Sequence, residues 1–297
     1  MRIAVLGAAG QLGRDLCPRL PGKVLPLTRA DIDLAVVSSI PRTLDAVRPD
    51  VLVNCAAYNW VDRAEAEPGV AFAVNGLGVR HLATHCAARG IRLVQFSTDY
   101  VFGLDNTRTT PLTEGNLPGP VSVYGLSKLA GEYFARTECP QTLVIRTCGL
   151  YGVWGSGGKG GNFVETMLRL AAAGKALRVV NDQRCTPSYT VDVAEATVAL
   201  INNNAQGIFH VTNAGSCTWY EFALEIFRQT GLKPDLQPVT SDEFGAAARR
   251  PRYSVLSNAK LAGYGQAGLQ PVPPPRPWPQ ALAAYLAERT QRLTVGG

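Results

Sequence analysis

The 297-residue chain predicts an α/β fold, a doubly wound parallel sheet joined to a smaller C-terminal domain. Three observations carry this. Short, nearly continuous apolar segments alternate with helix-like ones through the first half, as in a sheet covered on both faces. The first of these segments runs directly into a glycine turn, Gly7-Ala-Ala-Gly10-Gln11-Leu12-Gly13. The second half is less regular, with a glycine-rich loop at 152–161 and a proline-rich stretch at 271–279.

Taken in order, residues 2–6 read as a buried strand, too short and without the cleavage pattern of a signal peptide. Residues 11–20 read as a helix stopped by Pro21-Gly22, and 23–27 as the second strand. Pro49-Asp50 introduces a strand at 51–57. A long helical stretch at 64–88 is interrupted at Pro68-Gly69 and closed by Gly90. A strand at 91–96, a helix at 122–137 and a strand at 142–146 follow. Further on, 162–173 looks helical, 177–180 and 208–211 look like strands, 219–230 is amphipathic, and a C-terminal helix runs to about residue 292. No internal repeat or long low-complexity segment is visible.

Bulk properties narrow the function. A hydrophobic content of 46% with 18% charged residues is ordinary for a globular enzyme. No apolar run reaches the ~18 residues of a membrane span. The net charge of +6 comes without a basic run or interleaved aromatics, so no nucleic acid partner is expected. It fits a solvated basic surface or attraction to small polyanionic ligands. Seven cysteines, an odd number with no Cys-x-x-Cys, point to reduced thiols and a cytoplasmic location. His81 and His85 lie four apart beside Cys86 but lack a third ligand, and no metal is expected.

The glycine turn follows a strand and opens a helix, the order that aims backbone N–H groups at a pyrophosphate in a Rossmann sheet. Gly10 allows close approach of backbone, and Gly13 allows helix–strand packing. The second strand ends Leu25-Pro-Leu-Thr-Arg29 with no acidic residue to hold a ribose hydroxyl. Arg29 there suits a 2′-phosphate, favouring NADPH, or is a plain surface charge; NADH is the alternative. Residues 1–150 are thus expected to form a dinucleotide-binding domain with strands returning from about 176–213. Residues 151–175 and 214–297 are expected to form the substrate-binding domain.

Ser97-Thr98 end an apolar strand, where ligands of open α/β sheets bind. Tyr124 and Lys128 stand four apart in a helical run, on one face. A hydroxyl at Thr98 would hold a substrate carbonyl oxygen, and Tyr124 would protonate it. A free phenol has a pKa of about 10, and Lys128 with an oxidised nicotinamide would pull it down. Position 100 is Tyr, so the carboxylate that a sugar dehydratase places there is missing.

These residues resemble the dTDP-4-dehydrorhamnose reductase family of extended short-chain dehydrogenases. The likeness runs nearly end to end: Gly10-Gln-Leu-Gly13, Asp31-Ile-Asp-Leu34, residues 49–58 with Val61-Asp62, Val74-Asn75, and Ser97-Thr-Asp-Tyr-Val-Phe102. It continues through Tyr124-Gly-Leu-Ser-Lys128 with Gly131-Glu132, Ile145-Arg-Thr147, Asn162-Phe-Val164, Thr218-Trp-Tyr-Glu-Phe222 and Arg250-Pro251. The resemblance implies NADPH-dependent reduction of the 4-keto group of dTDP-6-deoxy-L-lyxo-4-hexulose to dTDP-L-rhamnose, with Thr98, Tyr124 and Lys128 catalytic. It implies Gly7, Gly10, Gln11, Leu12, Gly13 and Arg29 on the cofactor. Asp33 and Leu34 would contact adenine, and Ala56, Ala57, Tyr58 and Asn59 would line the cofactor. Asp99, Tyr100 and Asn162 would lie near the nucleotide sugar, and a homodimer is possible.

One departure stands out. The family usually has a substrate-packing Trp where this chain has Gly149, and Trp154 in the following loop is expected to refill the gap. Two other readings remain open at this stage. One is an epimerase that keeps NAD bound. The other is a regulatory subunit resembling the methionine adenosyltransferase β subunit.

Overall fold

Six strands build the central sheet of the computed structural model, which describes residues 1–155, 161–264 and 270–295. They are β1 (Arg2–Leu6), β2 (Lys23–Leu27), β3 (Val51–Asn54), β4 (Arg92–Thr98), β5 (Leu143–Thr147) and β6 (Gly207–His210). The spatial order is β6-β5-β4-β3-β1-β2, and every neighbouring pair is parallel. The chain leaves β1 to one side for β2 and returns to its other side for β3. The order therefore reverses at β1, opening a crevice beyond its carboxyl end.

Alternation along the strands sends side chains to two cores. On one face Ile3, Val5, Val53, Phe96 and Ile145 pack against Leu12 and Leu16 of the helix Gln11–Leu16 and against Val193 and Leu200 of the helix Thr190–Asn202. On the other, Ala4, Leu6, Leu52 and Leu93 meet Val79, Leu82 and Ala83 of the helix Gly78–Arg89 and Ala135 of the helix Val123–Glu138. Because both faces are covered, the strands are apolar almost throughout, which is why they were readable in the sequence.

Several boundaries differ from the sequence expectation, each for a local reason. The first helix stops at Leu16, and Pro18 continues it as a tighter turn over Cys17–Arg19. The stretch at 64–88 is four pieces: Val61–Ala66, Pro68–Phe72, a π-helical turn at Ala73–Leu77, and Gly78–Arg89. Pro68 cannot continue a helix but starts one well. The helix Thr190–Asn202 gave no amphipathic signal because it is buried nearly all round. The helix Ser39–Val47 was hidden by Pro41, which sits harmlessly in its first turn.

Of the two strands expected to return to the main sheet, β6 does so. Leu177–Val180 instead pairs in parallel with Leu236–Val239 in a separate two-stranded sheet. It packs in a third core, where Tyr151, Tyr189, Phe222 and Tyr285 interlock with ring centroids 5.3–6.0 Å apart. No described helix is long and apolar enough to cross a membrane.

One ion pair ties the Val123–Glu138 helix to the sheet. Arg146 on β5 grips Glu132 with Nε and Nη2 at 2.9 and 2.7 Å, both side chains almost fully buried. Removing one member of such a pair strands the other charge in the core. Glu132→Ala is therefore expected to destabilise the protein by about 3–5 kcal/mol. The check is a urea titration, which should show a lower midpoint at unchanged slope; an unchanged midpoint would contradict it.

Candidate active site

The carboxyl ends of β1, β3 and β4 converge on the crevice, and the glycine turn is shaped to fill its floor. Gly7 adopts φ +81°, and a Cβ there would lie 2.8 Å from the Ala56 nitrogen. A Cβ on Gly13 would lie 2.4 Å from the Gly7 carbonyl oxygen. Gly10 precedes the helix Gln11–Leu16 with no side chain over its first N–H groups. Leu12 is buried in the core and offers only backbone to the crevice. Gln11 faces Asn162, whose Nδ2 donates to Gln11 Oε1 at 3.2 Å.

Beyond β2, Arg29 is exposed and pairs with Asp33 at 3.0 Å. The Ala35 amide, with Arg29 assisting, holds the Asp33 carboxyl below the usual range. Leu34 is buried against Gly78, where a Cβ would meet its carbonyl oxygen at 2.6 Å. Of the pair expected on adenine, Asp33 is the accessible side chain and Leu34 belongs to the core.

The loop after β3 is pinned by Asn75. Its Oδ1 accepts from the Tyr58 amide at 2.8 Å, and its Nδ2 donates to the Tyr58 carbonyl and to Ser127 Oγ, both at 3.0 Å. Asn75 sits on the π-helical turn, and Gly131 lets the helix Val123–Glu138 approach so closely that a Cβ would lie 2.2 Å from the Asn75 carbonyl oxygen. Ala56, Ala57, Tyr58 and Asn59 are thereby held between the glycine turn and that helix. Tyr58 also donates its hydroxyl to Glu67 at 2.9 Å. Asn75 was quoted in the sequence only as part of a resemblance; an Asn in a helical run carries no signal of this role.

Thr98 ends β4 and accepts from the Tyr100 amide at 3.2 Å, capping the short turn Asp99–Val101. The helix Val123–Glu138 starts at Ser122, whose Oγ accepts from the Gly125 amide at 3.2 Å. Gly125 has no room for a Cβ, which would lie 2.2 Å from the Tyr100 carbonyl oxygen. This contact brings the first turn of the helix onto the end of β4. There the Tyr124 phenol lies beside Thr98, donates to Asn59 Oδ1 at 3.4 Å, and packs edge-on to Tyr100 at 5.8 Å. One turn later Lys128 is buried, its Nζ donating to the Phe96 carbonyl at 2.7 Å.

Burial dominates the electrostatics of the pair. Burial pushes the Tyr124 phenol above its ordinary value; the Thr98 hydroxyl opposes this and the Asp99 charge adds to it. The Lys128 ammonium donates to the Phe96 carbonyl rather than to the phenol. Burial lowers Lys128 itself to about 8, against the opposing charge of Glu132.

Other expected residues fall elsewhere. Asp99 is turned inward, bonded to Ser254 at 2.6 Å, Cys148 at 3.0 Å and Thr98 at 3.1 Å. Tyr100 lies near Arg250, which is clamped on Asp62 at 2.7 Å. Asn162 caps the helix Phe163–Ala172, accepting from the Glu165 amide at 3.0 Å, and lies with Gln11 and Gly152 rather than with Tyr124. Trp154 does not refill the gap at Gly149. Its Nε1 donates to Asp15 at 2.9 Å, and its ring lies between Arg14 at 4.9 Å and Arg292 at 3.7 Å. Gly149, at φ +53°, faces Trp219 instead, whose Cη2 would be 3.2 Å from a Cβ there.

The glycine cradle at Gly7, Gly10 and Gly13 fits a dinucleotide. Ser97 and Thr147, buried at the ends of β4 and β5, carry hydroxyls with no partner among the described residues. Those features suit an added polar ligand. Among the described residues no group of three or more His, Cys, Asp or Glu could hold a metal; His85 faces Asp45 at 3.2 Å.

Comparison with known proteins shows the family of the chain. The family described as the RmlD substrate binding domain matches residues 1–291. The spore coat polysaccharide biosynthesis protein SpsK of Bacillus subtilis (strain 168) is 40% identical over 292 residues, covering 97% of this chain and 98% of that protein. The dTDP-4-dehydrorhamnose reductase of Streptomyces griseus is 41% identical over 291 residues, covering 95% of this chain and 91% of that protein. The crystal structure of dTDP-4-dehydrorhamnose reductase from Bacillus anthracis str. Ames in complex with NADP aligns with a TM-score of 0.87 at 35% identity, over 97% of this chain and 99% of that one.

A folded-state pKa of about 8 makes the protonated Lys128 a burden on the fold. The penalty is full below that value and disappears as the pH rises toward about 10.4, the ordinary lysine value. Lys128→Met is expected to raise the melting temperature of the unliganded protein at neutral pH, and the gain should shrink above pH 8. A variant that melts lower than the parent at neutral pH would contradict this.

Proposed function

The chain belongs to the RmlD substrate binding domain family, and from that premise we propose that it reduces the 4-keto group of a dTDP-6-deoxy-4-hexulose with NADPH. The product of this reading is dTDP-L-rhamnose, made from dTDP-6-deoxy-L-lyxo-4-hexulose. The observation that carries it is the Tyr124 phenol beside Thr98, with Lys128 one turn on, beyond the end of the strand that flanks the crevice. Bound NADPH supplies the hydride.

The chain's own residues supply the rest. Thr98 holds the ketone oxygen, and Tyr124 gives it a proton as the carbon is reduced. Lys128 holds the nicotinamide ribose and, with a pKa of about 8, is mainly cationic at neutral pH. Gly7, Gly10 and Gly13 make room for the pyrophosphate, with Gln11 and the backbone of Leu12 beside it. Arg29 meets the 2′-phosphate and Asp33 the adenine end, while residues 56–59 line the cofactor. With Tyr100 in place of a carboxylate, no base stands ready for dehydration. This reading assigns residues 1–150 and β6 to cofactor binding, and 151–175 with 214–297 to the sugar nucleotide.

The reading extends to a cytoplasmic homodimer. Seven free cysteines support the compartment. Val70, Leu77, Leu126 and Tyr133, exposed on adjoining helical segments, support a self-association face. Sedimentation of the purified protein tests the dimer.

The test of activity is NADPH oxidation against a panel of dTDP-4-keto-6-deoxysugars, repeated with NADH. Turnover fastest with the L-lyxo substrate and NADPH is expected; no turnover with any member would overturn the reading. Tyr124→Phe is expected to lower kcat by about 10²–10⁴-fold, the range for losing a general acid, while NADPH still binds. Near-parental turnover would remove Tyr124 from the mechanism.

A further inference from the structure

Asp99 is 2% exposed, and no cationic side chain touches it among the described residues. The groups facing it are Thr98, Cys148 and Ser254 in direct contact, with Tyr100 and Tyr124 beyond. Cys185 lies behind Cys148. The nearby cation, Arg250, is held by Asp62 and the Ala248 carbonyl. An isolated carboxylate in such a place is expensive, and the group takes up a proton instead. Burial accordingly pushes the Asp99 carboxyl above its usual range.

The hydrogen bonds say where that proton belongs. Oδ2 accepts from the Ser254 hydroxyl at 2.6 Å and the Cys148 thiol at 3.0 Å, so it is already supplied with donors. Among side chains Oδ1 meets only Thr98, 3.1 Å away. Thr98 has one proton to give and two lone pairs. With Asp99 charged, the Thr98 proton is drawn to Oδ1 and is lost to any ketone. With Asp99 neutral, Thr98 accepts from Oδ1–H and from the Tyr100 amide at 3.2 Å, filling both lone pairs. Its own proton is then free for a carbonyl oxygen.

We propose that Asp99 acts as a neutral carboxylic acid that donates to Thr98 and so turns the Thr98 hydroxyl into a donor toward the substrate ketone. It is a positioning residue, acting through Thr98, and it does not itself contact the sugar, contrary to the resemblance-based expectation. The inference rests on the ketone-reduction reading for its catalytic arm only.

An amide reproduces the neutral acid: its NH₂ donates to Thr98 and its oxygen accepts from Ser254 and Cys148. Asp99→Ala is expected to lower kcat by about 10–100-fold, the scale of a misaligned electrostatic donor. Asp99→Asn should recover most of that loss and flatten the fall of kcat at alkaline pH. An Asn variant as impaired as the Ala variant would overturn the proposal, since a carboxylate would then be required. A second variant, Ser254→Ala, removes a donor that favours the charged form, so its alkaline fall should move to higher pH; movement to lower pH would count against the proposal.

The arm independent of turnover is melting temperature against pH. A carboxyl whose folded pKa is raised contributes stability that is lost as pH rises through that value. The melting temperature of Asp99→Asn minus that of the parent should therefore begin to grow above about pH 4, the ordinary aspartate value, and still be growing at neutral pH. A constant difference would overturn the neutral-acid assignment even in a protein with no measurable activity. A growing difference without turnover would leave that assignment standing and count only against the reduction reading.

Discussion

The buried pair between Glu132 and Arg146 is the constraint on which the site depends. Tyr124 and Lys128 act together only if their helix keeps a fixed rotation and height against β4 and β5. Arg146 fixes both, because a bidentate grip defines direction as well as distance. Glu132 lies one helical turn beyond Lys128, and its charge is the main influence opposing the burial that lowers the Lys128 pKa. The same carboxylate thus anchors the helix and keeps a buried ammonium charged. Phe102 covers the guanidinium, with Arg146 Cζ 5.0 Å from its ring centroid, so the segment after the Thr98 turn rests on the pair as well.

Around this anchor, precision comes from missing side chains. Gly125 and Gly131 let two turns of the helix touch backbone of other segments, and Gly7 and Gly13 do the same for the glycine turn. Each contact is between rigid main-chain groups. The positions of Thr98, Tyr124 and the loop 56–59 are therefore set with little dependence on side-chain rotamers. Asn75 completes the frame by binding both the loop and the helix through one amide.

The sheet was legible in the sequence because its strands are nearly continuous apolar runs, the Tyr124–Lys128 helix because its spacing is helical, and the glycine turn because it follows β1 and opens a helix. What escaped was information without a local period. The helix Thr190–Asn202 is apolar on every side and shows no stripe. Leu177–Val180 looks like any strand, and only the partner at Leu236–Val239 decides its sheet. The sequence placed Asp99 beside Thr98 but could not reveal Ser254 and Cys148, which reach it from distant segments and change its chemistry. Lys128 was read by its spacing from Tyr124, whereas its pKa is governed by burial and its bond by the Phe96 carbonyl.

Gly149 bears on how this chain could change over time. Its backbone is left-handed, and the space a side chain would claim is held by Trp219, itself packed at a tilt against Phe163 with ring centroids 4.8 Å apart. A side chain at 149 would have to adopt the left-handed backbone and displace the Trp219 indole by a few tenths of an ångström. Any substitution there therefore works against main chain and indole together.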